Sequence, residues 1–199
     1  MFEKFSESRT LFQKGFGKIL TQTNSPINYL KVDTFGMHNL KEKEVKMKTI
    51  KSFTVDHDFI DPGIYISRID GDITTYDMRT RKPNDGDYMD NLTMHSLEHM
   101  FATYIRNSNI GESVIYFGPM GCRTGFYLLV RDADNDEVLV EVKEALRNIV
   151  AHEGEMFGAK RKECGNYREL SLTAAKAAAS RYLSVLENSN VDFKYKVEL

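Results

Sequence analysis

Two histidines stand four residues apart, with a glutamate directly before the second, in the segment TMHSLEHMFATY at residues 93–104. Residues at i and i+4 lie on the same face of a helix, so His95 and His99 would point the same way. Two imidazoles placed like this can bind one metal ion together with a third protein ligand and a substrate atom. The pattern H-x-x-E-H is equally compatible with an ordinary solvated helix face.

The chain has two cysteines, Cys122 in GPMGCRTG and Cys164 in KRKECGNYREL. Neither segment is an apolar run, although free cysteines are often buried and inert, and in a reducing compartment we expect thiols rather than a disulfide. Cys164 in its polar loop would complete a His₂Cys site with one coordination position open. Glu98 would then be free to move protons, and Cys122 would supply a second acid–base or nucleophilic group.

These residues leave three functions open. Two proton carriers beside a Lewis acid suit the enolisation of a carbonyl substrate. A zinc metalloprotease would use Glu98 to activate a metal-bound water, and such enzymes usually take an acidic third ligand. A non-catalytic metal-binding module would need only the ligands.

Composition excludes several classes of partner. The 199 residues are 41% hydrophobic, which predicts one main domain with a sizeable core. A net charge of −2, from 27 basic and 29 acidic residues, gives no electrostatic case for nucleic acid. No apolar run approaches the roughly 18 residues of a membrane span, and the N-terminal stretch lacks a signal-peptide core. We therefore expect a cytoplasmic protein without a membrane span.

Alternating apolar and β-branched runs predict the strands. GIYISRI and ITTYDMR flank Asp70-Gly71-Asp72, and an Asp-Gly turn between such runs predicts a β-hairpin. SVIYF and FYLLV flank the glycine-rich turn that contains Cys122, and IKSFTV at residues 50–55 is a further candidate strand.

Helical spacing predicts three helices and a loop. The first opens near Asn91 as its N-cap and carries the two histidines beside a core face. That face consists of Leu97, Phe101, Tyr104 and Ile105. The others cover residues 136–152 and 172–187, with a loop at 153–170 between them. A hairpin and no regular βαβ alternation predict an α+β fold, with an antiparallel β-sheet packed against helices.

Residues 1–46 differ from the remainder and are interpreted as an N-terminal extension of unknown role, before a main domain at residues 47–199. A stripe at approximately helical spacing occurs here, formed by Phe5, Phe12, Phe16, Ile19 and Leu20. It could pack on the main domain, remain disordered, contact a partner or touch a membrane surface. Met47 could itself begin a domain.

The segments HSLEH at residues 95–99, GPMGCRTG at 118–125 and ECGN at 163–166 resemble S-ribosylhomocysteine lyase, the LuxS family, in order and separation. The resemblance runs from about Lys48 to the last helix. It implies a small α+β homodimer with active sites at the subunit interface. It also implies one divalent metal per subunit, Fe²⁺ natively, for which Zn²⁺ or Co²⁺ can substitute.

By matching position, the resemblance implies that His95, His99 and Cys164 are the metal ligands. Cys122 and Glu98 would form the acid–base pair, in agreement with the roles argued above from the residue types.

Four further residues match family positions that line the substrate pocket: Ser52, His57, Arg79 and Arg106. The chain departs from the family at residues 114–118, VIYFG, where many members carry an acidic residue and a serine. Substrate contacts from Tyr116 and Phe117 therefore do not follow from the resemblance.

The implied reaction is cleavage of the thioether of S-ribosylhomocysteine, a small-molecule substrate. The products are homocysteine and 4,5-dihydroxy-2,3-pentanedione, the autoinducer-2 precursor, formed by enediolate isomerisations and β-elimination. Such an enzyme would recycle a by-product of the methyl cycle, and its product could also serve quorum sensing.

Overall fold

A computed structural model describes residues 47–50 and 54–196. Contacts divide the chain into residues 1–48 and residues 49–199, and every element described below belongs to the second unit. The predicted stripe in residues 1–46 and the predicted pocket residue Ser52 lie outside the described residues. The division into an extension and a main domain at residue 47 stays a prediction.

Four strands build one antiparallel sheet in the described part of the chain. They are β1 (Gly63–Asp70), β2 (Ile73–Arg79), β3 (Val114–Pro119) and β4 (Gly125–Arg131), in the spatial order β1-β2-β4-β3. The predicted hairpin is confirmed, and Gly71 in its turn has φ +62°, a conformation that glycine adopts without a steric penalty. The candidate strand at residues 50–55 is not confirmed, because residues 54 and 55 lie in a bend and 51–53 lie outside the described residues.

Three α-helices accompany the sheet in the same region. They are α1 (Asn91–Arg106), α2 (Asn135–Ala151) and α3 (Leu172–Glu187). The predicted N-cap of α1 is wrong by one residue, because Asp90 has the extended backbone of a cap and accepts a hydrogen bond from the Thr93 amide at 2.6 Å. The loop predicted between the last two helices is confirmed, since residues 152–171 contain neither helix nor strand.

The hydrophobic core lies between the helices and one face of the sheet. Alternate residues of β2 and β4 point into it, as the two-residue period of a strand requires. The buried members from these strands are Tyr76, Met78, Phe126, Leu128 and Val130, and those from α1 are Leu97, Met100, Phe101 and Ile105. Tyr104, the remaining member of the predicted face of α1, is only partly buried. The predicted α+β architecture, an antiparallel sheet packed against helices, is confirmed.

Helix α1 holds a central position, because it contacts α2, α3 and β3. Packing on three sides fixes the direction in which its remaining face points. The segment at residues 152–171 covers that face, and the Ser171 amide at its end donates to the buried Ser96 hydroxyl at 2.8 Å. None of the helices in residues 47–50 and 54–196 has the length and apolar character that a membrane crossing requires.

Replacing Asp90 by alanine is expected to lower the free energy of unfolding by about 1 kcal/mol, because α1 loses its capping acceptor. The Thr93 side-chain and backbone hydrogen bonds hold the pKa of Asp90 below its ordinary value. Because the pKa of Asp90 is lower in the folded protein than in the unfolded chain, the ionised side chain stabilises the fold at pH values above the unfolded pKa of about 4. This stabilisation is lost as the pH falls below that value and through the lower pKa of the folded state.

Asp90→Asn is the matched control, because asparagine caps without titrating. Urea unfolding at neutral pH should place it near the wild type, and below about pH 4 the wild type should lose stability relative to it. An Asp90→Ala variant as stable as the wild type at neutral pH would show that the cap contributes nothing.

Candidate active site

Backbone carbonyls orient both histidines of α1. Nδ1 of His95 lies 2.9 Å from the carbonyl oxygen of Glu169, and Nδ1 of His99 lies 3.1 Å from that of Phe157. A carbonyl oxygen can only accept, so in each ring Nδ1 carries the proton and Nε2 keeps its lone pair. Hydrogen bonds of this kind fix the tautomer and the direction of metal-binding histidines.

Cys164 reaches the same face of α1 from the segment between α2 and α3. Its sulfur lies 3.3 Å from Nε2 of His95, and the ligand atoms of His95, His99 and Cys164 all lie within 4.8 Å of one another. Nitrogen and sulfur ligands on one tetrahedral ion stand about 3.4–3.6 Å apart. The three residues therefore form a group that could hold a metal ion.

Gly158 allows the segment at residues 152–171 to approach His99. Its φ is +69°, and a Cβ built at this position would overlap Nδ1 and Cε1 of the His99 ring. Only a residue without a side chain therefore places the Phe157 carbonyl against that ring. The same turn lines a cavity of about 300 Å³, so open space adjoins it.

Glu98 lies between the two histidines in sequence and is partly buried. Burial raises the pKa of its carboxyl, and the nearby His95 and His99 oppose this effect only in part. A carboxyl with a raised pKa exchanges protons more readily near neutral pH, as a general acid or base must.

Cys122 is exposed in the turn between β3 and β4, beside the buried side chains of Thr124 and Arg79. Its sulfur lies 3.0 Å from the Thr124 hydroxyl and 3.8 Å from Nη1 of Arg79. The same Nη1 donates to the Thr124 oxygen at 2.6 Å, which leaves the hydroxyl proton of Thr124 free to point at the sulfur. The sulfur therefore lies beside a cation and within hydrogen-bonding distance of a hydroxyl.

Comparison with known proteins identifies the family of this chain. A family model for S-ribosylhomocysteinase (LuxS) matches residues 50–192. The S-ribosylhomocysteine lyase of Finegoldia magna is 44% identical over 147 residues, which are 71% of this chain and 94% of the relative. Its counterpart in Phocaeicola vulgatus is 42% identical over 156 residues, 75% of this chain and 97% of the relative. The chain belongs to the LuxS family.

Two further pocket residues predicted from the sequence have hydrogen-bond partners within the described part of the chain. His57 forms a hydrogen bond through Nδ1 with the Val55 carbonyl at 2.9 Å. Arg106 donates to the backbone of β3, at 2.9 Å to the Val114 oxygen and 3.3 Å to that of Ile115. The structure thus brings the three predicted ligands into one group, and it places Arg79 next to Cys122.

Three residues that contact the predicted site residues were not identified from the sequence, namely Thr124, Asp77 and Gly158. Thr124 contacts both Cys122 and Arg79, and Asp77 forms an ion pair with Arg79 at 2.5 Å. The spacing of Asp77 and Arg79 offered a signal, because residues two apart on a strand share a face. Gly158 offered none, since nothing in its neighbourhood marks it as a residue that contacts His99.

Gly158→Ala is expected to weaken metal binding roughly 10- to 100-fold, because the new methyl group displaces the Phe157 carbonyl from the His99 ring. A loss of this size is typical when a metal-binding histidine loses the hydrogen-bond acceptor that orients it. Gly154→Ala is the matched control. Gly154 also has positive φ, at +107°, but a Cβ there meets nothing within 4 Å.

Both variants carry the backbone cost of alanine at positive φ, and only one carries the overlap with His99. Titration of the metal-free protein with Co²⁺, followed by absorbance, measures the difference. Equal affinities of the two variants would show that the Phe157 carbonyl does not support His99.

Proposed function

We propose that this protein cleaves the thioether of S-ribosylhomocysteine, a carbon–sulfur lyase reaction that releases homocysteine and 4,5-dihydroxy-2,3-pentanedione, the autoinducer-2 precursor. The observation that carries the proposal is the convergence of Nε2 of His95 and the sulfur of Cys164 at 3.3 Å, with His99 in the same group. Relatives at 40–44% identity over about three quarters of this chain bear the name S-ribosylhomocysteine lyase.

His95, His99 and Cys164 would hold one divalent ion per subunit, Fe²⁺ in the native enzyme, with Zn²⁺ or Co²⁺ able to replace it. The donor set fits this assignment, because two neutral imidazoles and a thiolate suit these ions and leave a position open. A bound ion would supply Lewis-acid polarisation of a substrate oxygen.

The chain's own residues would move the protons. Cys122, as thiolate, would take a proton from a carbon next to the sugar carbonyl, with the Arg79 cation lying beside its sulfur. Glu98, whose pKa is raised by burial, would exchange protons with the sugar oxygens. Repeated transfers would bring the carbonyl within two bonds of the carbon that bears sulfur. Loss of the proton on the intervening carbon would then form a C=C bond as the C–S bond breaks and homocysteine leaves as a thiolate.

We further propose that Ser52, His57, Arg79 and Arg106 line the substrate pocket and that the enzyme is a cytoplasmic homodimer with active sites at the subunit interface. Exposed apolar side chains on β3 support the dimer, namely Ile115 and Tyr116. Sedimentation equilibrium measures the mass in solution, and a monomer at micromolar concentration would contradict the dimer.

The alternative of an H-x-x-E-H peptidase usually requires an acidic third ligand. The third group beside the imidazoles here is a thiol, which favours the lyase. One anaerobic assay separates the two functions and the non-catalytic module: thiol release from S-ribosylhomocysteine, with bound metal quantified in the same sample and casein as a parallel substrate. Stoichiometric metal without thiol release would contradict the proposal.

Cys122→Ser and Cys164→Ser form a matched pair that assigns separate roles to the two cysteines. Cys122→Ser is expected to keep its metal and lose turnover by roughly 10²–10⁴-fold, because a hydroxyl does not ionise as a thiol does. Cys164→Ser is expected to lose metal and turnover together. Metal analysis and thiol release on both variants check this, and a Cys122→Ser enzyme with normal turnover would refute the assigned proton transfers.

A further inference from the structure

The segment after α3 returns to the sheet and contacts Asp77, the ion-pair partner of Arg79. The Ile66 amide donates to the Phe193 carbonyl at 2.8 Å, which ties this segment to β1. Two residues later the Tyr195 ring stacks on Tyr65, with the centroids 4.8 Å apart and the planes at 14°. The match to the LuxS family model ends at residue 192, so Tyr195 lies beyond it.

Tyr195 forms a hydrogen bond with the buried carboxylate of Asp77. Its hydroxyl donates to Oδ2 at 2.9 Å, and the same oxygen accepts from Nη2 of Arg79 at 2.5 Å. Asp77 is 2% exposed, and its other oxygen, Oδ1, has no hydrogen-bond partner among the described residues. Tyr195 is thus one of two donors that the described structure gives this carboxylate.

The surroundings of Asp77 show that its charge acts on its neighbours. In the sheet Asp77 stands directly between Tyr65 and Tyr127. Burial raises the pKa of Tyr65 to about 12 and the pKa of Tyr127 as well, and the Asp77 charge adds to both shifts. The pKa of Tyr195 is raised by burial and then by Asp77, so its hydroxyl stays protonated and donates.

A continuous path leads from Tyr195 to the sulfur of Cys122. Tyr195 contacts Asp77, Asp77 pairs with Nη2 of Arg79, and Nη1 of the same guanidinium lies 3.8 Å from the sulfur. Without the phenol, only Arg79 would hold the carboxylate, so the guanidinium would be less firmly placed, and more of the negative charge of Asp77 would act at the sulfur. Both changes would lower the reactivity of Cys122 towards an alkylating reagent.

We propose that Tyr195 is a positioning residue of the active site: its hydroxyl holds the Asp77 carboxylate, which sets the Arg79 guanidinium beside Cys122. This inference rests on the proposed function, since it gives the chain's C-terminal segment a part in the proton transfers assigned to Cys122. Tyr195 touches no reacting atom itself.

The test compares Tyr195→Phe with Tyr65→Phe in the metal-loaded, full-length protein. Tyr65 is the matched control, because it stacks on Tyr195 but donates its hydroxyl to the Asp61 carbonyl at 2.8 Å, outside the path to Cys122. Three measurements are made: kcat and KM for S-ribosylhomocysteine, the bound metal per subunit, and the rate at which iodoacetamide alkylates Cys122 at one fixed pH, followed by peptide mass spectrometry. The alkylation rate reports the thiolate and needs no substrate.

Tyr195→Phe is expected to lower kcat roughly tenfold and the alkylation rate of Cys122 several-fold, with KM within about twofold and metal content unchanged. Tyr65→Phe should resemble the wild type in all four. A Tyr195→Phe enzyme that alkylates at the wild-type rate would overturn the inference, whether or not kcat falls, because a purely structural role would not act on the sulfur.

Failure of the proposed function gives a different result. A wild type that releases no homocysteine would refute the lyase assignment, while the alkylation rates of the two variants would still decide whether Tyr195 acts on Cys122. Should Tyr195→Phe fold poorly, Tyr195→Leu serves as the second variant. It keeps an apolar side chain against Tyr65 and removes the donor to Asp77, and an unchanged alkylation rate there would also overturn the inference.

Discussion

The candidate metal site depends on how one segment without regular structure lies across one helix. Carbonyl oxygens of Phe157 and Glu169 hold the Nδ1 atoms of His99 and His95, and the same segment carries Cys164. Because each carbonyl uses the proton of one ring nitrogen, the lone pairs of both rings remain on Nε2. Helix α1 supplies the spacing of the imidazoles, and the segment supplies their orientation and the sulfur.

The fold supports this arrangement by fixing α1 on three sides. Leu97, Phe101 and Ile105 anchor the helix in the core, and α2 and α3 pack beside it. The buried Ser96 hydroxyl, which accepts from the Ser171 amide, joins α1 to the N-terminus of α3. A covering segment attached at both ends to helices that pack on α1 cannot shift far without disturbing the core, which explains how a long loop can present ligands with defined geometry.

The features that could be predicted from the sequence are those that follow from the spacing of residues close together in the chain. The hairpin at Asp70-Gly71, the bounds of α3 and the shared face of His95 and His99 follow from periods of two and about 3.6 residues. The N-cap of α1 was misplaced by one residue because Asp90 and Asn91 are both good capping residues, and only the extended backbone of Asp90 decides between them. The contacts of Phe157 and Glu169 could not be predicted, since every residue carries a carbonyl and these two lie 58 and 74 residues from their histidines. The Tyr195–Asp77 hydrogen bond spans 118 residues and leaves no local pattern.

The proposed lyase reaction requires one divalent ion bound by two imidazoles and one thiolate, with a position left for substrate. X-ray absorption at the metal edge of the zinc-loaded protein tests it most directly. We expect one sulfur scatterer at about 2.3 Å and nitrogen scatterers at about 2.0–2.1 Å that carry the imidazole signature of two histidines, together with one further light atom from solvent. A first shell without sulfur, or one filled by four protein donors, would contradict it.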